Sequence, residues 1–348
     1  MPSIVLITGV SRFVGGRLAA QLAADPSIDR VIGIDTAPPR AADLPLLGRT
    51  EFVRADIRNP LIAKVMSQAR VQTVVHSALI SAPSEIGGRV SMQEMNVIGT
   101  MQLLAACQKS DTVARVVLRS TTAVYGSAAS DPAVITEDME PHGPARGYAK
   151  DAAEVEGYVR AFGRRRPDVE ISVLRLAPVV GPTIDTALTR YLRSRVVPTI
   201  AGFDPRLQLL HESDAVEAIR IATVAGRPGV VNVAGDGVVT LSQLVRRIGR
   251  VRVPVPLVGL GAVAGLVRNG GATEVVAEEG RLLRFGRVVD TTRLRTEFGY
   301  HPHWTTVDAA HACVSGAPPP GRIISAAVRV GSELLVGRRR NRVAVTGT

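Results

Sequence analysis

Near its amino terminus the chain reads SIVLITGVSRFVG, from Ser3 to Gly15. The first half of this stretch is a run of β-branched and aliphatic residues, typical of a buried strand, and the glycines that follow are typical of a tight turn into a helix. At such a turn the backbone N–H groups and the helix dipole both favour a bound anion. The stretch therefore predicts a strand–turn–helix unit whose phosphate site consists of Gly9, Arg12, Phe13, Val14 and Gly15.

The middle glycine of a Gly-x-x-Gly-x-x-Gly pattern is replaced by Arg12. A side chain here either crowds the approach of a ligand to the backbone or lays its guanidinium group against the phosphates. Asp35 follows at the predicted end of the second strand. A carboxylate at that point accepts hydrogen bonds from ribose hydroxyls and repels a 2′-phosphate, so Asp35 predicts NAD as the cofactor in preference to NADP. The alternative is that Asp35 only caps a turn or a helix.

The first 180 residues alternate short apolar runs with helix-like stretches. The predicted strands are Ser3–Ile7, Arg30–Ile34, Glu51–Arg54, Thr73–His76, Arg115–Ser120 and Ile171–Leu176, and the predicted helices are Val14–Ala24, Pro60–Gln68, Met92–Gln108 and Tyr148–Gly163. Nearly continuous apolar strands separated by helices indicate a parallel sheet covered on both faces. With right-handed crossovers, the expected fold is α/β, a doubly wound parallel Rossmann sheet followed by a smaller carboxyl-terminal substrate lobe.

The pattern predicts three parts of the chain. Residues 1–180 form an NAD-binding Rossmann domain, and residues 181–315 form the substrate lobe, some segments of which return to the main sheet. The run Ala317-Pro318-Pro319-Pro320 marks a boundary to a basic tail, residues 316–348. Apolar residues recur at helical spacing in this tail. We favour a disordered tail, or one packed against its own body, and the alternative is a basic amphipathic helix that contacts a membrane surface or a partner protein.

The net charge of +11 does not by itself indicate nucleic-acid binding. Aromatic residues make up only 3% of the chain, and no stripe of aromatic and basic residues appears, so we expect no nucleic-acid partner. The two cysteines, Cys107 and Cys313, have no metal-site or disulfide spacing and predict a reducing, cytoplasmic location. We expect neither a signal peptide nor a membrane-spanning helix, which needs roughly 18–20 uncharged apolar residues.

Further motifs follow the predicted strands in order. They are Asp56-Ile57, His76-Ser77-Ala78, Asn96, Ser120-Thr121-Thr122-Ala123-Val124-Tyr125-Gly126, Gly147-Tyr148-Ala149-Lys150-Asp151-Ala152 and Arg175-Leu176-Ala177-Pro178. Together with the glycine turn they resemble an extended short-chain dehydrogenase/reductase of the NAD-dependent epimerase/dehydratase family, which includes UDP-glucose 4-epimerase. The similarity extends from about Ser3 to Ala310 and is greatest to actinobacterial, epimerase-like members.

The resemblance implies the remaining cofactor positions. Asp56 and Ile57 would contact the adenine, and His76, Ser77 and Ala78 would line the cofactor site. Asn96 would support the geometry of the active site, and Pro178 would lie beside the bound ligands. Many family members have asparagine at this last position, close to the substrate diphosphate. Proline has neither the side-chain amide nor a backbone N–H, which leaves a sterol-like or lipid-like hydroxyl substrate open. The apolar stretch Val253–Val267 would suit such a ligand, unless it is the core of the lobe.

The resemblance also implies a Tyr-x-x-x-Lys pair, of which this chain has Tyr148 but not the lysine, because the second position is Ala152. Residues four apart share a helix face, so Lys150 cannot replace the missing group. In the family a tyrosinate takes a proton from a substrate hydroxyl while hydride moves to the nicotinamide. Free tyrosine has a pKa near ~10, so the loss of the lysine predicts a rate lower by about 10²–10⁴. Thr121 is the second catalytic candidate, with local backbone bonding as its alternative role.

These motifs favour one function and leave two others open. The favoured function is an NAD-binding oxidoreductase of the epimerase/dehydratase family, with weakened acid–base groups, that acts on a hydroxyl-bearing small molecule, most readily a nucleotide sugar. A non-catalytic NAD(P)-binding sensor or assembly protein is the first alternative, and a dehydrogenase of sterol-like or lipid-like substrates is the second. The resemblance further implies a homodimer through the helices near Met92–Gln108 and Tyr148–Gly163, and we predict no metal site.

Overall fold

The computed structural model describes residues 3–81, 88–141, 147–256 and 280–315. Its main sheet consists of β1 (Ile4–Thr8), β2 (Arg30–Asp35), β3 (Glu51–Arg54), β4 (Thr73–His76), β5 (Arg115–Thr121), β6 (Glu170–Leu176) and β11 (Gly229–Val233). These seven strands are parallel and lie in the spatial order β11-β6-β5-β4-β1-β2-β3. The predicted doubly wound α/β class is confirmed.

Helices cover both faces of the main sheet. They are α1 (Phe13–Ala24), α2 (Leu61–Ala69), α3 (Gly88–Gln93), α4 (Gly99–Lys109), α5 (Tyr148–Arg165) and α7 (Glu212–Ala225). A π-helical segment, Glu94–Ile98, joins α3 to α4, so one helical run extends from Gly88 to Lys109. The helices α1 and α7 pack together on one face, whereas α2, α4 and α5 cover the other.

Alternate residues of the central strands face opposite helix layers. In β1, Leu6 packs into the core under α2, α4 and α5, and Ile7 packs into the core under α1 and α7. Burial on both faces explains why the strands read as almost continuous apolar runs. At the carboxyl end, Thr8 is in register with both Ile34 and His76. The ends of β1, β2 and β4 therefore lie side by side, at the edge where parallel sheets bind their ligands.

The smaller lobe has its own short elements. They are β7 (Val179–Val180), α6 (Ala187–Arg193), β8 (Val196–Ile200), β9 (Arg206–Leu207), β10 (Leu210–His211), β12 (Val239–Thr240), α8 (Leu241–Arg247), β13 (Val251–Val255), α9 (Leu282–Phe285) and α11 (Thr306–Val314). Between the last two, α10 (Thr292–Thr296) packs on β11, and its Leu294 is buried in the core of the main sheet. β8 pairs with β13 and β7 with β10 in parallel, whereas β9 and β12 are antiparallel. Tyr191, Leu244 and Cys313 are buried in a separate core of this lobe.

The chain passes between the main sheet and the lobe several times. After β6 it enters the lobe, it returns as α7, which packs on α1, and it completes the main sheet with β11 beside β6. It then leaves again for β12 and α8. The connections lie after β6, between β10 and α7, and after β11, and the lobe is therefore not a simple carboxyl-terminal appendage.

Most predicted bounds in the first part of the chain agree with the structure. The six predicted strands end within one residue of the observed ones, but the helix predicted at Met92–Gln108 begins earlier, at Gly88. The tail, residues 316–348, and most of the apolar stretch Val253–Val267 lie outside the described residues. The amphipathic tail helix and the lipid-like ligand site therefore stay predictions.

Candidate active site

The turn between β1 and α1 forms one wall of a cleft at the carboxyl edge of the sheet. Gly9 has φ = +79°, and a Cβ atom there would lie 2.8 Å from Cα of Ala78. A Cβ atom on Gly15 would overlap the carbonyl oxygen of Gly9. Phe13 and Val14 start the helix, and Val14 is buried in the core below. The two glycines thus keep the turn tight against the sheet, as a phosphate-binding turn requires.

Arg12 replaces a glycine here without backbone strain. It has φ = −94° and ψ = 157°, an extended conformation open to any residue, and it directly precedes α1. Its N–H donates to the carbonyl oxygen of Gly9 at 3.1 Å, and its own carbonyl oxygen accepts from the N–H of Gly16 at 2.8 Å. The side chain of Arg12 lines the cleft together with Asp35. Arginine is therefore compatible with the turn, and its charge is added to the ligand-facing side.

Asp35, at the end of β2, is held by two backbone donors. Its Oδ2 accepts from the N–H of Ser11 at 3.1 Å, and its Oδ1 accepts from the N–H of Thr36 at 2.8 Å. The carboxylate lies at a cleft that Gly9 and Ala78 also line. Oδ1 also accepts from the Thr36 hydroxyl at 3.4 Å, so of the roughly four acceptor sites of a carboxylate about one remains for another donor. Asp35 thus bonds the turn, as the capping alternative predicts, and keeps acceptor capacity for a ribose.

Ile57 and Asp56, after β3, differ in what they contact. Ile57 is buried and lines the same cleft. Asp56 forms an ion pair with Arg58, in which Nη2 and Oδ2 are 2.6 Å apart. The hydrogen bond from the Arg58 side chain is the main cause that lowers the pKa of Asp56. The apolar adenine contact assigned to Ile57 therefore has room in the cleft, whereas the Asp56 carboxylate is already engaged.

His76, at the end of β4, is enclosed by protein. Its Nδ1 is 2.7 Å from Oγ1 of Thr8, and its Nε2 is 2.8 Å from Oγ1 of Thr100. Burial lowers the pKa of His76 to about 3, so the ring is neutral. Any contact of His76 with a cofactor is therefore made by its backbone. Next in the chain, Ser77 has a buried Oγ with no partner among the described residues, and Ala78 lines the cleft.

Asn96 is the centre of a buried polar cluster. Its Oδ1 accepts from the N–H of Ile80 at 2.8 Å, and its Nδ2 donates to the carbonyl oxygen of Ile80 at 3.0 Å and to Oδ2 of Asp151 at 3.1 Å. Arg89 donates two hydrogen bonds to the carboxylate of Asp151 and a third, at 3.0 Å, to the carbonyl oxygen of Gly147. The cluster thus joins the segment after β4 to the start of α5.

Tyr148 is the first residue of α5 and is partly buried against both cores of the main sheet. Ala152, one turn later on the same helix face, is completely buried in the core. Lys150, two residues after Tyr148, is exposed. Because Lys150 is the only lysine in α5, that helix presents no ammonium group on the Tyr148 face.

Thr121 and Pro178 lie at the ends of β5 and β6. Oγ1 of Thr121 accepts from the N–H of Ala123 at 3.1 Å and caps the 3₁₀ helix Thr122–Tyr125. This bond is the local role given as the alternative for Thr121, and the hydroxyl still has a proton to donate. The carbonyl oxygen of Pro178 accepts from the N–H of Leu210 at 3.1 Å, which ties the chain after β6 to β10 in the lobe.

Several residues in the cleft or near it were not predicted. Met95 lines it, Arg89 and Asp151 form the cluster beside Tyr148, and Arg119 of β5 donates from Nη2 to the carbonyl oxygen of Leu79 at 2.6 Å. Two of these residues have a feature in the sequence that could have identified them. Arg119 interrupts an apolar strand, and Asp151 lies one turn after Tyr148 on a helix that packs on the sheet.

The cleft suits a dinucleotide on three observations. The turn at Gly9 approaches the segment after β4 so closely that no Cβ atom fits. Two buried polar atoms, Oγ of Ser77 and Nε of Arg119, have no partner among the described residues. Asp35 retains about one free acceptor site. A ligand with phosphate and hydroxyl groups would supply acceptors for the Ser77 and Arg119 donors and a hydroxyl donor for Asp35.

The described residues show neither a metal centre nor a membrane-spanning helix. Within the described ranges, no three histidine, cysteine or acidic side chains come together in a way that could hold a metal ion. No helix in this part of the chain is long and apolar enough to cross a membrane. Both cysteines are buried, and burial raises the pKa of the Cys107 thiol to about 12.

Comparison with known proteins gives a family and several relatives. The model of the NAD dependent epimerase/dehydratase family matches residues 5–234. An uncharacterized protein of Mycobacterium tuberculosis is 52% identical over 309 residues, which cover 88% of this chain and 82% of that protein. A dTDP-glucose 4,6-dehydratase of Streptomyces niveus is 29% identical over 272 residues, or 73% of this chain and 75% of the enzyme.

The fold is also similar to solved structures. One is the UDP-glucuronic acid 4-epimerase of Bacillus cereus in complex with UDP-glucuronic acid and NAD, with a TM-score of 0.68. The superposition covers 90% of this chain and 98% of the epimerase at 19% sequence identity. At that identity the likeness concerns the fold, which agrees with the seven-stranded sheet described above.

Proposed function

Because this chain belongs to the NAD-dependent epimerase/dehydratase family, we propose that it binds NAD in the cleft and acts on a hydroxyl group of a small molecule. Its relatives include a dTDP-glucose 4,6-dehydratase, and a UDP-glucuronic acid 4-epimerase shares its fold, which supports a nucleotide sugar as the substrate class. Gly9, Arg12 and Asp35 would hold the phosphates and the adenosine ribose, and Ile57 would contact the adenine. A cytoplasmic location stays a prediction from the cysteines.

The observation that carries the proposal is the link between β5 and α5, the elements of Thr121 and Tyr148. Ser120, next to Thr121, donates a hydrogen bond from Oγ to Glu156 of α5. Glu156 is also paired with Arg175 of β6, with Nη2 and Oε2 2.6 Å apart and both side chains at most 4% exposed. Because Glu156 lies two helical turns after Tyr148, this buried pair fixes the helix relative to the strand ends.

In the proposed reaction Tyr148 accepts the proton of a substrate hydroxyl, and Thr121 donates a hydrogen bond to the same oxygen. Bound NAD would supply the hydride acceptor. Tyr148 begins α5, and the positive end of the helix dipole favours a tyrosinate by about 0.3–1 kcal/mol. Asp151 in the same turn would oppose this effect, but Arg89 neutralises its charge.

The helix dipole does not make up for the missing lysine. A loss of about 10²–10⁴ in rate corresponds to roughly 3–5 kcal/mol of barrier, several times the contribution of the helix end. The helix α5 has no cation one turn after Tyr148 on the same face, because that position is occupied by the buried Ala152. We therefore propose a slow enzyme with weakened acid–base chemistry.

The test is a Tyr148→Phe variant assayed with NAD on UDP-glucose, UDP-glucuronic acid and dTDP-glucose. We expect turnover to fall at least about a hundredfold, because the acid–base group is lost, while the affinity for NAD changes by less than about twofold. The measurements are product formation by mass spectrometry and NAD binding by calorimetry. Tyr158→Phe, the same change in the same helix, is the matched control. Turnover that survives in Tyr148→Phe removes Tyr148 from the reaction.

The alternative function is a non-catalytic NAD-binding protein. The burial of Ala152 favours it, since a fully packed core position has replaced the lysine that the chemistry uses. This alternative predicts that the wild-type protein binds NAD and turns over none of the three nucleotide sugars. Product from any one of them decides against it.

A further inference from the structure

Arg119 is a charged residue inside an apolar strand. It lies in β5 two residues before Thr121, between Leu118 and Ser120, and its side chain is only partly exposed. Nη2 donates to the carbonyl oxygen of Leu79 at 2.6 Å, but the buried Nε has no partner among the described residues. A buried donor of a charged group that lacks a partner is unfavourable. Arg119 therefore has bonding capacity that the protein itself does not use.

The guanidinium group of Arg119 lies close to the phosphate turn. Its acceptor, Leu79, directly follows Ala78, and Ala78 is the residue against which Gly9 packs so closely that no Cβ atom fits. Arg12, at the other end of the turn, lines the cleft together with Ala78. Arg119 thus approaches the segment Ala78–Leu79 from the sheet, and Arg12 approaches it from the turn.

The positive charges of these two arginines are poorly compensated. Among the described residues neither forms an ion pair with a carboxylate within 4.0 Å. Partial desolvation lowers the pKa of Arg12, the carboxylate of Asp35 raises it, and the charge of Arg119 lowers it. The two guanidinium groups are therefore near enough to repel each other, and a bound anion would remove that repulsion.

We propose that Arg119 and Arg12 together bind the pyrophosphate of the dinucleotide. The inference rests on the proposed NAD binding and assigns a phosphate contact to a strand residue outside the glycine turn. Arginine suits this role because its planar group donates two parallel hydrogen bonds to phosphate oxygens. The pair then explains how the turn works with arginine in place of a glycine, because side-chain donors take over from a close backbone approach.

The experiment compares three ligands on single variants of the full chain. NAD and ADP-ribose contain the pyrophosphate, whereas adenosine does not. We expect Arg119→Met and Arg12→Gln each to weaken NAD and ADP-ribose binding about ten- to hundredfold in calorimetry, the size of a lost charge-assisted hydrogen bond. Adenosine binding, followed by ligand-observed NMR, should change by less than about twofold. Arg17→Met is the matched control, a neighbouring arginine on α1 whose guanidinium lies 5.5 Å from the Phe13 ring, and it should leave all three affinities nearly unchanged.

The outcomes decide separately on the role of Arg119, the role of Arg12 and the proposed function. Equal ADP-ribose affinity in wild type and Arg119→Met overturns the role of Arg119, and tighter binding in an Arg12→Gly variant overturns the role of Arg12. If Arg119→Met fails to fold by circular dichroism, Arg119→Lys keeps the charge without the planar fork and should still weaken ADP-ribose binding. A wild-type protein that binds none of the ligands contradicts the proposed function as well, and that failure is distinct from a variant that binds as wild type does.

Discussion

At the residue scale, His76 shows how burial decides the charge of a side chain. Both ring nitrogens lie within hydrogen-bond distance of a threonine hydroxyl, Thr8 on one side and Thr100 on the other. These partners suit a neutral ring, which has one donor and one acceptor nitrogen. Burial is the main cause that lowers the pKa to about 3, and the charge of Arg119 adds to it. The folded protein therefore excludes the protonated form over most of the acid range.

This depressed pKa predicts a loss of stability in acid. Between the unfolded pKa of about 6.5 and the folded value of about 3, only the unfolded chain protonates His76, so stability falls as the pH falls. From pH 7 to pH 5 the wild type should lose about 2 kcal/mol of unfolding free energy more than a His76→Gln variant does. The measurement is urea unfolding at both pH values.

Comparing the wild type with His76→Gln cancels the contributions that other titratable groups make to the pH dependence of stability. Burial raises the pKa of Glu137, which acts in the opposite sense as the pH falls, but this contribution is the same in both proteins. His301→Gln, a change at an exposed histidine, serves as the control and should lose stability as the wild type does. An equal loss in wild type and His76→Gln would mean that the folded protein protonates His76.

Single residues were predictable where their role is local in the chain. Gly9 directly follows β1 and Asp35 is the last residue of β2, and backbone geometry next to them decides what they contact. Arg119 was not predictable in the same way, because its acceptor, Leu79, belongs to a neighbouring segment that only the pairing of β4 with β5 brings close. The same holds for Ala152, whose complete burial depends on how α5 packs.

At the element scale, the start of α5 is held from outside the helix. Gly147, with φ = +85°, turns the chain into Tyr148, and Arg89 of α3 bonds both Gly147 and Asp151. Asp151 is 0% exposed, so its carboxylate depends on Arg89 for charge compensation. The position of Tyr148 therefore depends on an ion pair between two helices.

This ion pair predicts a large effect on stability. Arg89→Met leaves a buried carboxylate without a cation and should cost about 3 kcal/mol, the low end of the usual range because the Arg89 side chain is 34% exposed. Asp151→Asn in the same chain should recover more than half of this loss in a double-mutant cycle of urea unfolding. Arg40→Met, at the exposed pair with Asp43, is the control and should cost less than about 0.5 kcal/mol. Similar costs for the two pairs would show that Asp151 is not dependent on Arg89.

Elements with a clear periodicity were the predictable ones. The central strands of the main sheet are buried and read as apolar runs, which is why β4 was predicted at its observed bounds. The edge strand β3 was also predicted at its bounds, although its end residues Glu51 and Arg54 are exposed. The π-helical segment Glu94–Ile98 has no such sequence pattern, although it contains the buried Asn96. Its conformation reflects the contacts of Asn96 with Ile80 and Asp151, which are tertiary contacts.

At the scale of the whole molecule, the helical run from Gly88 to Lys109 has apolar side chains that the other described residues leave exposed. Val90 is 70% exposed, Ile98 46% and Met101 44%. Ile98 and Met101 are three residues apart, at the junction of the π segment with α4, and such residues lie on one helix face. This surface belongs to the helix for which the family resemblance predicts a homodimer contact.

A dimer through this surface predicts that Met101→Glu separates the subunits. A carboxylate buried in an apolar contact is strongly unfavourable, so the dissociation constant should rise roughly a hundredfold or more. Sedimentation velocity at micromolar concentrations measures the change. Leu61→Glu, at an exposed apolar residue of α2, is the control and should leave the dimer intact. A wild-type protein that sediments as a monomer at these concentrations contradicts the homodimer prediction itself.

The repeated passage of the chain between the main sheet and the lobe limits how the two can move. The chain connects the main sheet to the lobe after β6, between β10 and α7, and after β11. Three connections restrict relative movement more than a single linker, which would act as one hinge. Bodies joined in this way can rock slightly but cannot swing apart. A protease cut in one connection would also leave the halves together, because the strand pairing of β11 with β6 and the packing of α7 on α1 span the cut. We therefore expect the protein to pass between its free and bound states with little change in overall dimensions.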